Sequence, residues 1–583
     1  MKHLLTLIPY LKKYRTKLIL GFVFISCSIA LQSIYPLLIG SAVDSITRGT
    51  QPLDLLIYSL KIISVVLFSG LFLFLTRRTI IVTSREIEND LRLDFFSHLQ
   101  FLSKDFYDKK SVGDIMAHAT NDINNVRNFL GPGIMYSSQT ILRTIITLSI
   151  VFSISIKISL IALAPLPIIS FFVYKVMKSA YRRSVKVQEA FSHLTSRVQE
   201  DFLGIRLIKA YVREDYAINK FYNISRDYQN KNLKLALIES YSFPMMFLLS
   251  GFSMILVIYF GGIEVIKGNF SIGNIAEFLV YLVQLTWPMI ALGWVINLVQ
   301  RAAPSMARIN SILNTTSTIK TTHPKIHIKE PQIKGDIVFK DVSFHFPDSE
   351  RWILKNINLT IPYSSTLGIT GRVGEGKTTL VSLIPRIYDP TNGAIFWNGY
   401  NIREIPLDVL RNSIGMATQL SLLFSDTLEK NIAYSSDKVD SKRVEYCAKI
   451  AGLYEDVKAF PDKFKTVIGE RGVLISGGQK QRVAIARALY KNPECLILDD
   501  SFSAVDTQTE KEILQALKTN YQNSTQIVIS HRLLTLQNFD KIIVLQNGCI
   551  CEEGTHQQLL ELGELYYSIY QKQLIEEELK EVN

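Results

Sequence analysis

Between Lys17 and Asp44 the chain runs 26 residues without a charge. A helix of that length covers the roughly 30 Å of a bilayer's hydrocarbon. In lipid every backbone N–H and C=O has to be bonded within the protein, so such a run is committed to being a helix. Five more apolar runs follow in the first half: Leu55 to Thr76 with Lys61 near its start, Ile134 to Ile156 with Arg143, Ser159 to Tyr174, Ser240 to Ile263, and Phe278 to Gln300. Trp287 and Pro288 interrupt the last, where a kink is expected. Six membrane spans is the count.

Basic residues flank the spans unevenly. Lys12, Lys13, Arg15 and Lys17 precede the first, Arg77, Arg78 and Arg85 follow the second, and Lys175, Lys178, Arg182 and Arg183 follow the fourth. The opposite loops hold little beyond Arg48, Lys157 and Lys267. The excess of Lys and Arg marks the cytoplasmic side, which puts both termini in the cytoplasm of a multi-pass protein of the cell membrane. Residues 1–320 carry 34 Lys and Arg against 19 Asp and Glu, and residues 321–583 carry 30 against 33. Basic charge on the apolar half argues against a nucleic-acid binder, which concentrates it on a soluble domain. The opening MKHLLTLIPYLKKYRTK lacks a small-residue cleavage site and reads as an interfacial helix. Five scattered cysteines make no disulfide scaffold, and Cys549 and Cys551 read as strand residues.

Two connections are long and helical in pattern, from about Arg77 to Leu130 and from Lys175 to Glu239. Spans two to five are expected to continue out of the membrane as long helices, with tips near Lys110 to Ala117 and Gly204 to Tyr216. Arg143 has apolar sequence on both sides and is a candidate cavity wall, with Gln32, Gln139, Gln284 and Asn297 as companions. Lys61 and Glu277 read as snorkelling or boundary residues.

After Thr315 a polar, Pro-containing linker leads to strand-like runs and then TLGIT-GRVGEGKTT. This is G-x-x-x-x-G-K-[ST] between a strand and a helix, the setting of a phosphate loop. Gly371, Gly374 and Gly376 let backbone N–H groups approach phosphates, Lys377 reaches the β and γ oxygens, and Thr378, beside Thr379, can ligate Mg²⁺. Glu375 suits an anion loop only if it points outward. Phe346 is an aromatic placed to stack on a base. Further on, ISGGQ (Ile475 to Gln479) precedes a helix expected from about Lys480 to Tyr490, where Ser476 and the N–H groups of Gly477 and Gly478 favour an anion. CLIL, a strand buried on both faces, ends on Asp499 and Asp500, carboxylates placed for Mg²⁺ and for an attacking water. Gln419 and His531 each follow an apolar strand and suit the same ligand.

The phosphate loop, Gln419, ISGGQ, LILDD, SAVD (Ser503 to Asp506) and His531 together resemble the nucleotide-binding domain of ATP-binding cassette (ABC) transporters, and the six-span half resembles the membrane domain of their exporters. SVGDIM (Ser111 to Met116) and GIRLIKAYVRE (Gly204 to Glu214) are similar to the family's coupling regions, and TVIGERG (Thr466 to Gly472) to its inter-subunit loop. The resemblance implies an all-α transmembrane domain over 1–315, a linker over 316–335 and an α/β P-loop domain over 336–583. It implies ATP and Mg²⁺ as ligands and a dimer of half-transporters, because each ATP is held between one chain's phosphate loop and the other's signature segment, Ser476–Gln479; Asp506 is a further nucleotide-binding candidate. The expected activity is ATP-driven efflux of small hydrophobic or amphipathic compounds; lipid flipping, peptide export and an ATP-gated channel are the alternatives. Two positions depart from the family: Ile475 stands for Leu, and Asp500 for the Glu that polarises the attacking water. The second departure points to a slow site of its own and to an unlike partner carrying Glu, with a homodimer as the alternative.

Overall fold

The computed structural model describes residues 2–49, 51–320, 332–469 and 475–582. Most of the 316–335 linker and residues 470–472 of the TVIGERG stretch lie outside them. The chain divides into two compact units, residues 1–100 with 112–315, and residues 101–111 with 316–583.

The first unit is helical, and each of the six apolar runs lies mostly on helix. Helices Arg15–Thr47, Pro52–Gln100 and Val112–Ile154 are long and apolar enough to cross a membrane, and Gly251–Ile266 and Ile272–Leu285 are shorter apolar stretches within two further long helices. The expected extensions are present. The 49 residues of Pro52–Gln100 span about 74 Å at ~1.5 Å per residue, more than twice the hydrocarbon thickness. The fourth run is not one helix. Ile156–Leu163 ends in a turn at Ala164–Pro165 and a new helix begins at Leu166, because Pro165 and Pro167 lack the N–H groups a continuous helix needs. The helix Ile272–Leu313, by contrast, runs through both Pro288 and Pro304.

Polar latches hold the extensions together. Asp122 is 4% exposed on the third-span helix. It accepts from Ser305 Oγ (2.7 Å) and Arg308 Nε (2.8 Å) of the last helix, and meets His118 Nδ1 at 2.7 Å. The N-terminal segment is tied to the second helix by Lys13–Asp90 and Lys17–Glu86 pairs, both at 2.6 Å.

The described residues of the second unit form twelve strands: β1 (Ile337–Phe344), β2 (Leu354–Ile361), β3 (Thr366–Gly371), β4 (Asn392–Trp397), β5 (Tyr400–Asn401), β6 (Ile414–Ala417), β7 (Asp426–Thr427), β8 (Val467–Ile468), β9 (Cys495–Asp499), β10 (Thr525–Ile529), β11 (Lys541–Gln546) and β12 (Cys549–Gly554). β2-β1-β4-β5 form an antiparallel sheet. The second sheet has order β12-β11-β3-β10-β9-β6, parallel except for the edge strand β12. Cys495–Leu498 are fully buried, as a strand covered on both faces requires. One core lies between the two sheets around Phe339, Ile369, Ile497 and Ile529, and another under the helices around Leu428, Ile485 and Leu517.

Residues 101–111, between the second and third long helices in sequence, cluster with this unit. Asp108 accepts from the Tyr388 hydroxyl at 2.6 Å, Lys109 pairs with Asp348 at 2.8 Å, and Thr318 Oγ1 donates to Asp105 at 2.8 Å. The docked element is therefore the short helix Lys104–Lys109, one step before the expected tip at Lys110 to Ala117, and SVGDIM begins the helix that follows.

Candidate functional site

Parallel strands point their carboxyl ends to one edge, and that edge collects the chemistry. β3 ends on Gly371, β9 on Asp499, β10 just before His531, and β6 just before Gln419. In register, Ile369, Ile529 and Asp499 lie side by side on neighbouring strands. The loop after β3 turns sharply into the helix Lys377–Leu383, with φ of 141°, 87° and 92° at Gly371, Gly374 and Gly376. A Cβ on Gly371 would stand 2.4 Å from the Leu545 carbonyl oxygen, so no side chain fits there.

Lys377 is 6% exposed, and its ammonium donates to the Gly371 and Arg372 carbonyls at 2.8 Å each. Burial pulls its pKa down, while Asp500, Glu375 and Asp499 oppose that shift. Thr378 Oγ1 donates to Asp499 Oδ1 at 3.0 Å. Asp499 is 1% exposed, and burial holds its carboxyl above the usual carboxylate range against the Thr378 bond and Lys377. Asp500 takes φ 47° and accepts from Gln419 Nε2 at 3.2 Å. His531 is half-buried; burial and then Lys377 lower its pKa, with Asp500 opposing. Glu375 is half-buried and accepts from the Asn547 backbone N–H in the β11–β12 turn. Thr379 follows on the same helix, half-buried. Phe346 is half-buried, edge-on to Phe344 (5.1 Å) and Tyr388 (5.5 Å).

The Ser476 segment is organised separately. The expected start of its helix near Lys480 moves to Gly477: the helix is Gly477–Tyr490 with Ser476 as N-cap. Ser476 Oγ accepts from the Gln479 N–H at 3.2 Å, and Gln479 Oε1 accepts from the Ser476 N–H at 2.9 Å, a reciprocal box that carries the helix back over both glycines. The hydroxyl proton is left to donate elsewhere. Gly478 packs on the Ser503–Asp506 loop, where a Cβ would meet the Ala504 carbonyl oxygen at 2.6 Å. Asp506 caps the helix Thr507–Asn520, accepting from the Thr509 N–H at 2.9 Å, which holds its carboxyl below the usual range. Among the described residues no hydrogen bond joins Ser476, Gly477, Gly478 or Gln479 to the phosphate loop.

Four further residues tie these parts together. Gln481 donates to Ser503 Oγ at 2.7 Å and accepts from the Ala504 N–H at 2.9 Å. Arg532 Nη1 donates to the Val505 carbonyl (3.0 Å) and to Glu510 (2.7 Å), whose other oxygen accepts from Thr535 at 2.5 Å. Glu510 is 2% exposed. From the C-terminal helix, Gln573 donates to the His531 carbonyl at 2.5 Å and accepts from the Leu533 N–H at 2.8 Å. Gln481 lies two residues past ISGGQ and was within reach of a local reading. Gln573, 42 residues from His531, had no local signal.

Comparison with known proteins agrees with this geometry. Residues 18–289 match the ABC transporter transmembrane region and residues 354–503 the ABC transporter family. The chain is 35% identical to the probable multidrug resistance ABC transporter ATP-binding/permease protein YheI of Bacillus subtilis, over 97% of this chain and 96% of that one. It is 33% identical to an ATP-dependent lipid A-core flippase of Syntrophus aciditrophicus, covering 95% and 91%. A solved bacterial Atm1-family ABC exporter with ATP bound superimposes with TM-score 0.79 at 25% identity, over 96% of this chain and 99% of that one. With membrane and nucleotide regions both matched, and relatives above 30% identity along nearly the whole length, the protein belongs to the ABC transporter family and joins both regions in one chain.

Proposed function

We propose that the chain is one half of a dimeric, ATP-driven exporter of amphipathic compounds, holding a slow ATP site of its own and lending Ser476–Gln479 to a faster site on an unlike partner. The observation that carries this reading is the separation of the two motifs. Ser476 and Gly477 are exposed, and the hydrogen bonds of Ser476–Gln479 stay within their own helix or reach Asp456, while elsewhere Lys377 bonds to its own loop, Thr378 to Asp499 and Gln419 to Asp500. An exposed, capped helix start with an undonated hydroxyl proton suits the phosphates of an ATP held by another chain.

Within the chain's own site the loop N–H groups and Lys377 bind the phosphates. Thr378 and Asp499 fit Mg²⁺, since both are hard oxygen ligands 3.0 Å apart and a buried carboxylate gains from a cation. Held by Thr378 and Asp499, such an ion would supply positive charge to offset the charge developing on the phosphates. Among the described residues no three His, Cys, Asp or Glu converge, as suits an ion held mostly by phosphate and water. His531, neutral at pH 7 because its pKa is lowered, offers a hydrogen bond toward the γ-phosphate. Asp500 is the weak point. It is one methylene, about 1.5 Å, shorter than Glu, and a misplaced general base costs on the order of 10²–10⁴ in rate. The relatives' names, multidrug resistance transporter and lipid A-core flippase, support an amphipathic cargo for this chain too.

The test is the ATPase rate of the purified chain with and without its partner. Slow turnover alone, raised at least tenfold by Asp500→Glu, is expected. Brisk turnover alone, abolished by Asp500→Ala, would overturn the slow-site assignment and favour a homodimer.

A further inference from the structure

The six apolar runs contain two basic residues, Lys61 and Arg143, and not one Asp or Glu. Lys61 is exposed on its helix beside Tyr58, near one end of its span. Arg143 is different. It lies nine residues into the helix Ile134–Ile154, roughly 14 Å along it and so near the middle of the bilayer. It is half-buried, and its side chain turns to the neighbouring helices, donating to Gln32 Oε1. Gln32 is itself fixed, donating from Nε2 to Ser28 Oγ at 3.1 Å, while Gln284 Nε2 approaches the Gln32 carbonyl at 3.4 Å. Tyr281 buttresses the same turn through the Ser33 carbonyl at 2.7 Å. Three spans thus meet around one guanidinium.

Among the described residues that guanidinium has no carboxylate partner. Glu277, at the edge of the last span, packs against Gly40 and Asn274 instead. An arginine at this depth is costly unless it faces protein or a polar cavity, and an amide partner aligns the charge without cancelling it. Of five guanidinium donors, the bond to Gln32 uses one. The others form a planar fork that matches a carboxylate or phosphate.

Resting on the export reading, we propose that Arg143, oriented by Gln32, is the headgroup subsite of the transport cavity, and that it selects amphiphiles carrying an oxyanion over lipophilic cations. The shared chemistry is a phosphate or carboxylate on an apolar body, whether the body is a membrane lipid or a soluble compound. A cation would meet a like charge at the centre of the membrane with no acid in the six spans to offset it.

The full-length protein, with its partner, is reconstituted in proteoliposomes and given ATP with three probes sharing one dodecyl chain: dodecyl phosphate, dodecylphosphocholine and dodecyltrimethylammonium. Fluorescent short-chain phosphatidylglycerol and phosphatidylcholine form the lipid arm. The phosphate should be taken up at least tenfold better than the ammonium, and phosphatidylglycerol over phosphatidylcholine if a lipid is the source. Arg143→Gln should bring the anion-to-cation ratio to near one, and Arg143→Lys should keep most of it. Gln32→Glu, which adds an acid beside an intact Arg143, should also collapse the ratio; a merely structural arginine would not respond this way. Preference for the ammonium, or an anion preference surviving both Arg143→Gln and Gln32→Glu, would overturn the subsite while leaving export standing. Uptake of no probe would refute the subsite and the export reading together.

Discussion

Gly478→Ala puts a methyl group against the Ala504 carbonyl oxygen at 2.6 Å. That is about 0.7 Å short of the roughly 3.3 Å at which carbon and carbonyl oxygen rest. The obstacle is backbone, so the start of the Gly477–Tyr490 helix has to move by a comparable amount. Displacing phosphate-binding donors by nearly 1 Å costs on the order of 10²-fold in rate, or about 2.7 kcal/mol. The assay is steady-state ATPase of the assembled protein alongside ATP binding at the chain's own phosphate loop, read by a photoreactive ATP analogue. The expected result is a loss of turnover near 10²-fold with labelling of the Lys377 loop changed less than threefold. Gly477→Ala is the control for folding, since its Cβ would meet only Ala504 Cβ at an ordinary 3.5 Å. Turnover within threefold of normal in Gly478→Ala would refute the role given to this segment. An equal loss of labelling at the Lys377 loop would refute its service to a second chain.

Gln573→Ala removes two hydrogen bonds that set the His531–Leu533 backbone; at about 1 kcal/mol each it should lower kcat by up to about 30-fold with little change in KM, and Gln573→Glu should restore less than half of the loss. Asp499→Asn should abolish Mg²⁺-stimulated turnover while ATP binding in EDTA persists, measured by the same photolabelling. Asp122→Ala removes a nearly buried carboxylate that accepts from half-exposed Arg308 and from Ser305; losing such charged hydrogen bonds costs about 1.5–3 kcal/mol and should show as a drop in the thermal midpoint in detergent. Burial raises the Cys447 thiol to about 11 and the Cys495 thiol to about 12. Below pH 9 both therefore stay protonated, and a maleimide should modify exposed Cys549 within minutes but Cys447 and Cys495 only after unfolding, as read by mass spectrometry.

The legible parts of the sequence were those in which chemistry and local structure share a short stretch. The phosphate loop sits between a strand and a helix within GITGRVGEGKTT, and CLIL announces a buried strand that delivers Asp499 and Asp500 to the sheet edge. Long-range partners were not legible. Asp122 and Arg308 are 186 residues apart and no periodicity links them, whereas Arg143 and Gln32, 111 apart, were grouped only because both are polar residues within apolar runs. Glu375 bonds to Asn547 in the β11–β12 turn, 172 residues away, which no local pattern shows. The helix start at Gly477 was missed because two glycines read as loop, whereas the Ser476–Gln479 box offsets their poor helix propensity. The break at Pro165 was visible as a proline but hidden by the apolar run around it.

The most direct test of the account is vectorial transport. Inside-out membrane vesicles containing the protein should accumulate a fluorescent amphipathic probe above its external concentration when given Mg²⁺ and ATP, and Lys377→Ala should abolish the accumulation. An ATP-dependent conductance that lets the probe or ions equilibrate, with no accumulation above the external concentration, would contradict export and leave an ATP-gated channel in its place.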